Sequence, residues 1–546
     1  MHLYELPQEL FLHVIEHLVQ SIGIVKALRL RLVDKKFEAA MIYMVCTVRA
    51  LDITNLTVYR FYDSMSPPIR AKFLLAGSRS KKAYDTAIYS AIAWVNSELD
   101  LLTQPTEELG LKQHHMIAEA VAQVGNRRMY QLYSEQKKAY ERTKRQNLLC
   151  GAVVVGSLSA VKAVMARWDS RYLGVNRKSY YFGRPLHVAA AWGHLELVQY
   201  FLDNGADPRL IVGRAPNDDD WRPNIEHVCL WSRHVYQSPD GTPLRAAALS
   251  GHEDIVRLLL KPEYRLPISS PEYYRAILAA ARGGYMNIIG LLLEAADKNL
   301  EDLGDFRQQM LFEAVRHNQE PVVRILLDNG TDVNALPYLP RRSHGTALHI
   351  AAAHNRTEII RLLLDRGASQ ETECPWPNTS FPIDKAAQNG HEEAVELLLE
   401  RGSSFVRALA SAASGGQVHL VQSLMRKGID IHMPDPGRGC KHITIGMEAL
   451  NQAIAAQNLS IIAILVNAGV PINPEGPDAV VKPHESLSRH FTCVQDFTEK
   501  FLASLGGRVN QSYPFYIKPS YDHWSNSSRE KEIYVDEVSW EWVGKY

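Results

Sequence analysis

The stretch Gly183–Asp207, GRPLHVAAAWGHLELVQYFLDNGAD, decides how the rest of this 546-residue chain is read. It recurs as GTPLRAAALSGHEDIVRLLL over Gly241–Leu260 and as GTALHIAAAHNRTEIIRLLLDRGAS over Gly345–Ser369. With the Gly of the Gly-His step as a marker, copies fall at Gly156, Gly193, Gly251, Gly284, Asn318, Asn355, Gly390, Gly416 and Gln457. Successive markers lie 37, 58, 33, 34, 37, 35, 26 and 41 residues apart. Seven positions before each stands an apolar residue, from Leu149 and Leu186 to Leu409 and Leu450. Twelve positions after the marker, six of the nine copies carry a glycine: Gly205, Gly330, Gly367, Gly402, Gly428 and Gly469. A fixed period of this size is the signature of a solenoid.

Each copy reads as a pair of helices. Thr242 and Thr346 precede the first helix, where a hydroxyl can satisfy an orphan backbone N–H. Small residues at the Ala-Ala step (Ala189-Ala190, Ala247-Ala248, Ala351-Ala352, Ala386-Ala387) let neighbouring helices approach closely. The second helix runs as β-branched pairs followed by leucines, as in Ile255-Val256, Leu258-Leu259-Leu260 and Ile359-Ile360, Leu362-Leu363-Leu364. Apolar residues on more than one face require cover from both sides, which only a stack of repeats supplies. The glycine after that helix suits a left-handed closing residue.

These residues resemble the ankyrin-repeat family, with nine copies over residues 146–474. The resemblance implies an all-α ankyrin-repeat solenoid of helix-turn-helix repeats with hairpin loops. It also implies that His187 and His349, and His194, His252 and His391 at the Gly-His step, hydrogen-bond between neighbouring repeats. Residues 46–145 are expected to be a helical linker with two degenerate repeats, Ala87–Leu102 and Met116–Tyr133, which keep the helix-pair rhythm without the glycines.

The first forty or so residues follow another pattern. Pro7 suits a helix first turn, and Leu10, Val14 with Ile15, and Leu18 follow at helical spacing. After a break near Ser21–Gly23, Leu28 and Leu32 lead to Phe37. A unit of roughly forty residues is too short to bury a good core alone, so its apolar surface invites a partner. The order Leu6-Pro7-Gln8-Glu9-Leu10 … Leu32-Val33-Asp34-Lys35-Lys36-Phe37 resembles the F-box. Asp34 and Phe37 depart from the residues most common there. The resemblance, over residues 1–45, implies that Leu6, Pro7, Leu10, Ile15, Leu18 and Leu28 bind a Skp-type adaptor of a cullin ubiquitin ligase. The alternative is that these helices merely cap the solenoid.

Composition bounds the rest. Lysine plus arginine number 60 and aspartate plus glutamate 60, for zero formal charge. That argues against nucleic acid or an anionic membrane as main partner. The six cysteines are scattered without short-range pairs, which fits reduced thiols and no zinc site. The first residues lack the basic and apolar regions of a signal peptide, and no segment approaches a membrane span. An intracellular protein, cytoplasmic or nuclear, is expected. No P-loop, His-Glu-x-x-His helix or Gly-x-Ser-x-Gly elbow is present, so neither catalytic residues nor a cofactor is expected.

The ankyrin resemblance implies a groove lined by first helices and loop tips. The two residues before each marker are expected to face it: Trp192, Ser250, Arg282, Arg316, His317, His354 and Asn389. A long insertion, residues 208–239, adds Trp221 and Trp231, either as a binding element or as a plug over exposed core. Its His227, Cys229 and His234 match no strong metal spacing. Beyond residue 474 a capping helix near Val494–Leu505 and an aromatic tail are expected. The whole reads as a non-catalytic interaction protein. One form is a ligase substrate receptor, holding an adaptor with its first helices and an unknown target protein in the groove. The other is a plain ankyrin scaffold.

Overall fold

The computed structural model describes residues 7–22, 40, 67–79, 87–123, 137–167, 173–179, 181–210, 241–336, 345–372, 380–428, 430–433, 444–456 and 458–470. These fall into two compact units, one ending at Asp297 and the other beginning at Lys298. The regular elements among the described residues are α-helices, with an isolated bridge between Ser179 and Gly183 and a 3-10 turn at Glu301–Leu303. The fold is an all-α ankyrin solenoid.

The first unit opens with α1 (Gln8–Ile22), α2 (Pro67–Arg79), α3 (Ala87–Thr103) and α4 (Glu107–Gln123). Repeat pairs follow: α5 (Lys137–Val154) with α6 (Leu158–Arg167), α7 (Pro185–Trp192) with α8 (Leu195–Asp203), α9 (Pro243–Ser250) with α10 (Glu253–Leu259), and α11 (Pro271–Gly283) with α12 (Met286–Glu294). The second unit holds α13 (Phe306–Arg316) with α14 (Glu320–Asp328), α15 (Ala347–Ala353) with α16 (Thr357–Asp365) and α17 (Pro382–Gln388) with α18 (Glu392–Glu400). It continues with α19 (Phe405–Ser414) and α20 (Val418–Arg426), then α21 (Ile445–Ala455) and α22 (Leu459–Asn467).

Local chemistry starts and stops these helices where the repeat pattern requires. Pro185, Pro243 and Pro271 occupy first turns, where a missing N–H costs nothing. Thr242 Oγ1 accepts from the Arg245 N–H. Every described marker adopts positive φ, from 53° at Asn355 to 88° at Gly284. At Gly251 the need is twofold. Its φ is 83°, and a Cβ there would stand 2.4 Å from the Tyr285 ring.

First helices pack on first helices (α7 on α9, α9 on α11; α13 on α15, α15 on α17, α17 on α19, α19 on α21), and second helices pair likewise. The Ala-Ala steps are fully buried at these contacts. Both apolar rows of each second helix are covered, as at Ile255, Val256, Leu258 and Leu259 of α10 and Ile359, Ile360, Leu362 and Leu363 of α16.

Polar side chains then tie each repeat to the next. Asn176 donates from Nδ2 to the Gly205 carbonyl at 2.9 Å and accepts from the Asp207 N–H at 2.8 Å. Asn334 repeats the clamp on the Gly367 carbonyl and the Ser369 N–H. Arg366 pairs with Asp328 at 2.6 Å, Arg401 with Asp365 at 3.0 Å, and Lys427 with Glu396. Such exposed pairs contribute under about 1 kcal/mol each, so they set register more than stability.

One expectation is corrected. Ala87–Leu102 does not form a helix pair but lies within a single helix, α3. It has no Gly or Asn at the step where the other copies turn, and nothing else interrupts the helix. Met116–Tyr133 is described only to Gln123, within α4. The capping helix near Val494–Leu505, the tail, and all but the first residues of the insertion lie outside the described residues.

Candidate functional site: the inner ends of the first helices

One hydrogen bond fixes the ends of the first helices, and it recurs. The side chain one position after a marker donates to the backbone carbonyl two positions before the preceding marker. His194 reaches Val154 at 3.1 Å, His252 reaches Ala191 at 3.2 Å, and His391 reaches Ala353 at 3.0 Å. A carbonyl only accepts, so each ring carries its proton on Nε2. Arg356 does the same work on the Arg316 carbonyl at 3.2 Å, and Gln417 on the Gln388 carbonyl at 3.0 Å. The expected bridging role of the Gly-His histidines thus extends to an Arg and a Gln that break the motif. The carbonyls they hold sit among the positions expected to face a partner.

The TPLH histidines lie deeper. His349 is fully buried. Its Nδ1 accepts from the Thr346 N–H at 3.1 Å, and its Nε2 donates to the Ser380 carbonyl at 3.0 Å. Burial drives its pKa down to about 4. His187 is buried as well and is pushed down to about 3. Burial is the main cause and the Arg245 charge adds to it; the Gly241 carbonyl opposes this, but no hydrogen bond of good geometry reaches either ring nitrogen. Both rings are neutral structural groups near pH 7.

The expected target-facing residues divide. His354 and Asn389 are exposed, whereas Trp192, Ser250, Arg282, Arg316 and His317 are half-buried. Asn389 spends its Nδ2 on the Ala353 carbonyl at 3.1 Å. Arg316 and His317 lean on Glu313, at 3.4 and 3.7 Å. That carboxylate is 1% exposed. Trp221 and Trp231 lie outside the described residues, as do His227, Cys229 and His234. Among the described residues no group of three or more His, Cys, Asp or Glu is placed to hold a metal ion, and no helix is long and apolar enough to cross a membrane. Cys150 is a buried free thiol whose pKa burial pushes far up, so it is protonated and inert.

At the other end of the first unit, α1 has two apolar sides. Phe11 and Ile15 are buried, at 2% and 0% exposure, while Leu10 and Val14 stand 53% and 42% exposed. Ile15, expected against an adaptor, is therefore packed inside the chain: it shares the buried side with Phe11, one turn away. Val14 takes its place on the outer side. Pro7 is exposed and Leu18 half-buried; Leu6 and Leu28 lie outside the described residues.

Comparison with known proteins agrees with this architecture. Family models described as ankyrin repeats match residues 184–212, 244–337, 339–408 and 383–478, and a further one matches 311–364. The chain carries ankyrin repeats. It is 25% identical over 324 residues to the ankyrin repeat and KH domain-containing protein mask-1 of Caenorhabditis elegans, and 27% identical over 327 residues to a protein of the same description from Caenorhabditis briggsae. Each match covers 54% of this chain and 12% of the relative. A probable E3 ubiquitin-protein ligase, XBOS32 of Oryza sativa subsp. japonica, is 28% identical over 219 residues, 40% of this chain and 42% of that one. Among solved structures, the human ASB11 ankyrin repeat domain matches with TM-score 0.32 and 25% identity, over 47% of this chain and 98% of that one.

Proposed function

We propose that this chain is a non-catalytic substrate-recognition subunit of a Skp-cullin-F-box type ubiquitin ligase. Its α1 side at Leu10 and Val14 docks the adaptor, and its ankyrin first helices hold a target protein. The observation that carries the reading is the divided apolar surface of α1. Two large apolar side chains are left about half exposed on a helix whose neighbouring side is already packed. An apolar patch of this kind becomes an interaction surface when a partner extends its cover. Leu10 belongs to the Leu-Pro-x-Glu-Leu start that resembles an F-box, and the rice relative is described as a probable ubiquitin ligase. Ankyrin arrays act as protein-binding surfaces and carry no chemistry of their own.

The test is co-purification of the full chain with a Skp-type adaptor from cells expressing both. Leu10→Asp combined with Val14→Asp abolishes the complex while costing no more than about 2 kcal/mol of stability, because both side chains are only partly covered and the remainder is helix propensity. Failure of the wild-type chain to capture the adaptor rejects the ligase reading in favour of an ankyrin scaffold.

A further inference from the structure

We propose that the first-helix face of the second unit, around Arg316, His317, His354, Arg356 and Lys385, receives a carboxylate-rich segment of a target protein. This rests on the target-binding reading above and adds the chemistry of the ligand. Basic side chains stand there on three successive repeats. Arg316 and His317 close α13, and His354 closes α15. Arg356 reaches across with its guanidinium on the Arg316 carbonyl. Lys385 sits on α17 one turn before the exposed Gln388 and Asn389, on the same helix side.

The carboxylates of these three helices are withdrawn from the surface. Glu313, the one carboxylate of α13, is buried beneath Arg316 and His317. It balances one of the two arginines and leaves the cluster net positive. α15 has none. Asp384 of α17 is turned toward α19, accepting from Ser411 Oγ at 2.9 Å and from the Phe381 N–H at 2.8 Å, with Arg407 at 3.6 Å.

The second helices carry the opposite sign. Within α14, α16 and α18 stand Glu320, Asp328, Glu358, Asp365, Glu392, Glu393, Glu396 and Glu400, against Arg324 and Arg361 on the same helices and Arg366, Arg401 and Lys427, which pair with Asp328, Asp365 and Glu396, so the balance there stays negative. In a chain of zero net charge this separation is local and directional. An acidic ligand is repelled from the second helices and drawn to the first. Complementarity of this kind sets orientation, partner choice and association rate. The dense second-helix carboxylates disfavour a nucleic acid, whose long phosphate backbone tracks extended basic surface.

The test is fluorescence anisotropy of the full chain with a short fluorescein-labelled polyglutamate peptide at low salt. The expected result is saturable binding that weakens with salt. Binding falls about tenfold on His354→Glu with Lys385→Glu, which together make the face more negative outside the buried Glu313 network. Arg316→Gln weakens it too. Arg324→Glu with Arg361→Glu, on the second helices, weakens it much less, and the difference persists at moderate salt, where long-range repulsion is screened. Absence of binding, an equal loss in the second-helix control, or tighter binding of a single-stranded oligonucleotide of matched charge overturns the proposal. The outcomes separate it from the ligase reading. If the peptide fails while target proteins still co-purify, only the ligand chemistry falls. If the peptide binds and the adaptor does not, only the ligase reading falls.

Discussion

Acid should loosen the two units through their buried histidines, each acting on its own unit. His349 illustrates the arithmetic. Its Nδ1 already accepts from the Thr346 N–H, so a second proton on the ring would face a donor with a donor. The folded pKa of about 4 lies below the ordinary 6.5, so between those values the unfolded chain binds more protons. Stability is therefore present above pH 6.5 and is lost as pH falls toward 4. The difference corresponds to roughly 3 kcal/mol in full, of which about 2 kcal/mol is gone by pH 5. His187, pushed to about 3, removes a similar amount from the first unit by pH 5 and more below it. The assay is hydrogen exchange of the Ala347–Ala353 amides between pH 7 and pH 5, corrected for the intrinsic pH dependence of exchange. His349→Gln, which cannot titrate, lowers protection at pH 7 but flattens the slope by about 2 kcal/mol. Equal slopes in the wild-type and variant chains refute the assignment.

Three further outcomes follow from packing. Gly251→Ala costs the first unit about 3 kcal/mol, combining left-handed backbone strain with a clash on the Tyr285 ring; Tyr285→Ala on top of it restores only the clash portion, read by chemical denaturation. Asn318→Gly, at φ 62°, raises the stability of the second unit by up to about 1 kcal/mol, seen as a higher denaturation midpoint. Asn334→Ala removes both bonds of its clamp and costs about 1–2 kcal/mol, with faster exchange confined to the amides of the two repeats it joins.

Much of this architecture was legible because the period does two jobs at once. A glycine spaced twelve residues from the marker announces a left-handed turn, and Gly205, Gly330, Gly367, Gly402, Gly428 and Gly469 all adopt it. Paired β-branched residues announce a helix covered on both sides, and α10 and α16 are so covered. What escaped the sequence depends on geometry that several residue types can satisfy. The carbonyl before each preceding marker needs only a long donor, so Arg356 and Gln417 serve as well as histidine, and a motif written around Gly-His passes over them. Asn176 and Asn334 were invisible for a related reason: the backbone they clamp lies a full repeat away. On α1, helical spacing identified the apolar residues but could not say which side the rest of the chain would cover, and Ile15 proved to be on the inside. The half-burial of Arg316 and His317 likewise depends on Glu313, whose pairing no spacing rule announces.

The clamps at Asn176 and Asn334 and the pairs Arg366–Asp328, Arg401–Asp365 and Lys427–Glu396 share one property: each spans a single boundary between adjacent repeats. Within a unit, tension applied along the stack is therefore borne in series, one seam at a time. Under load such an array yields stepwise, surrendering a repeat while its neighbours stay folded. A pulling experiment would record that as a staircase of small, similar extensions.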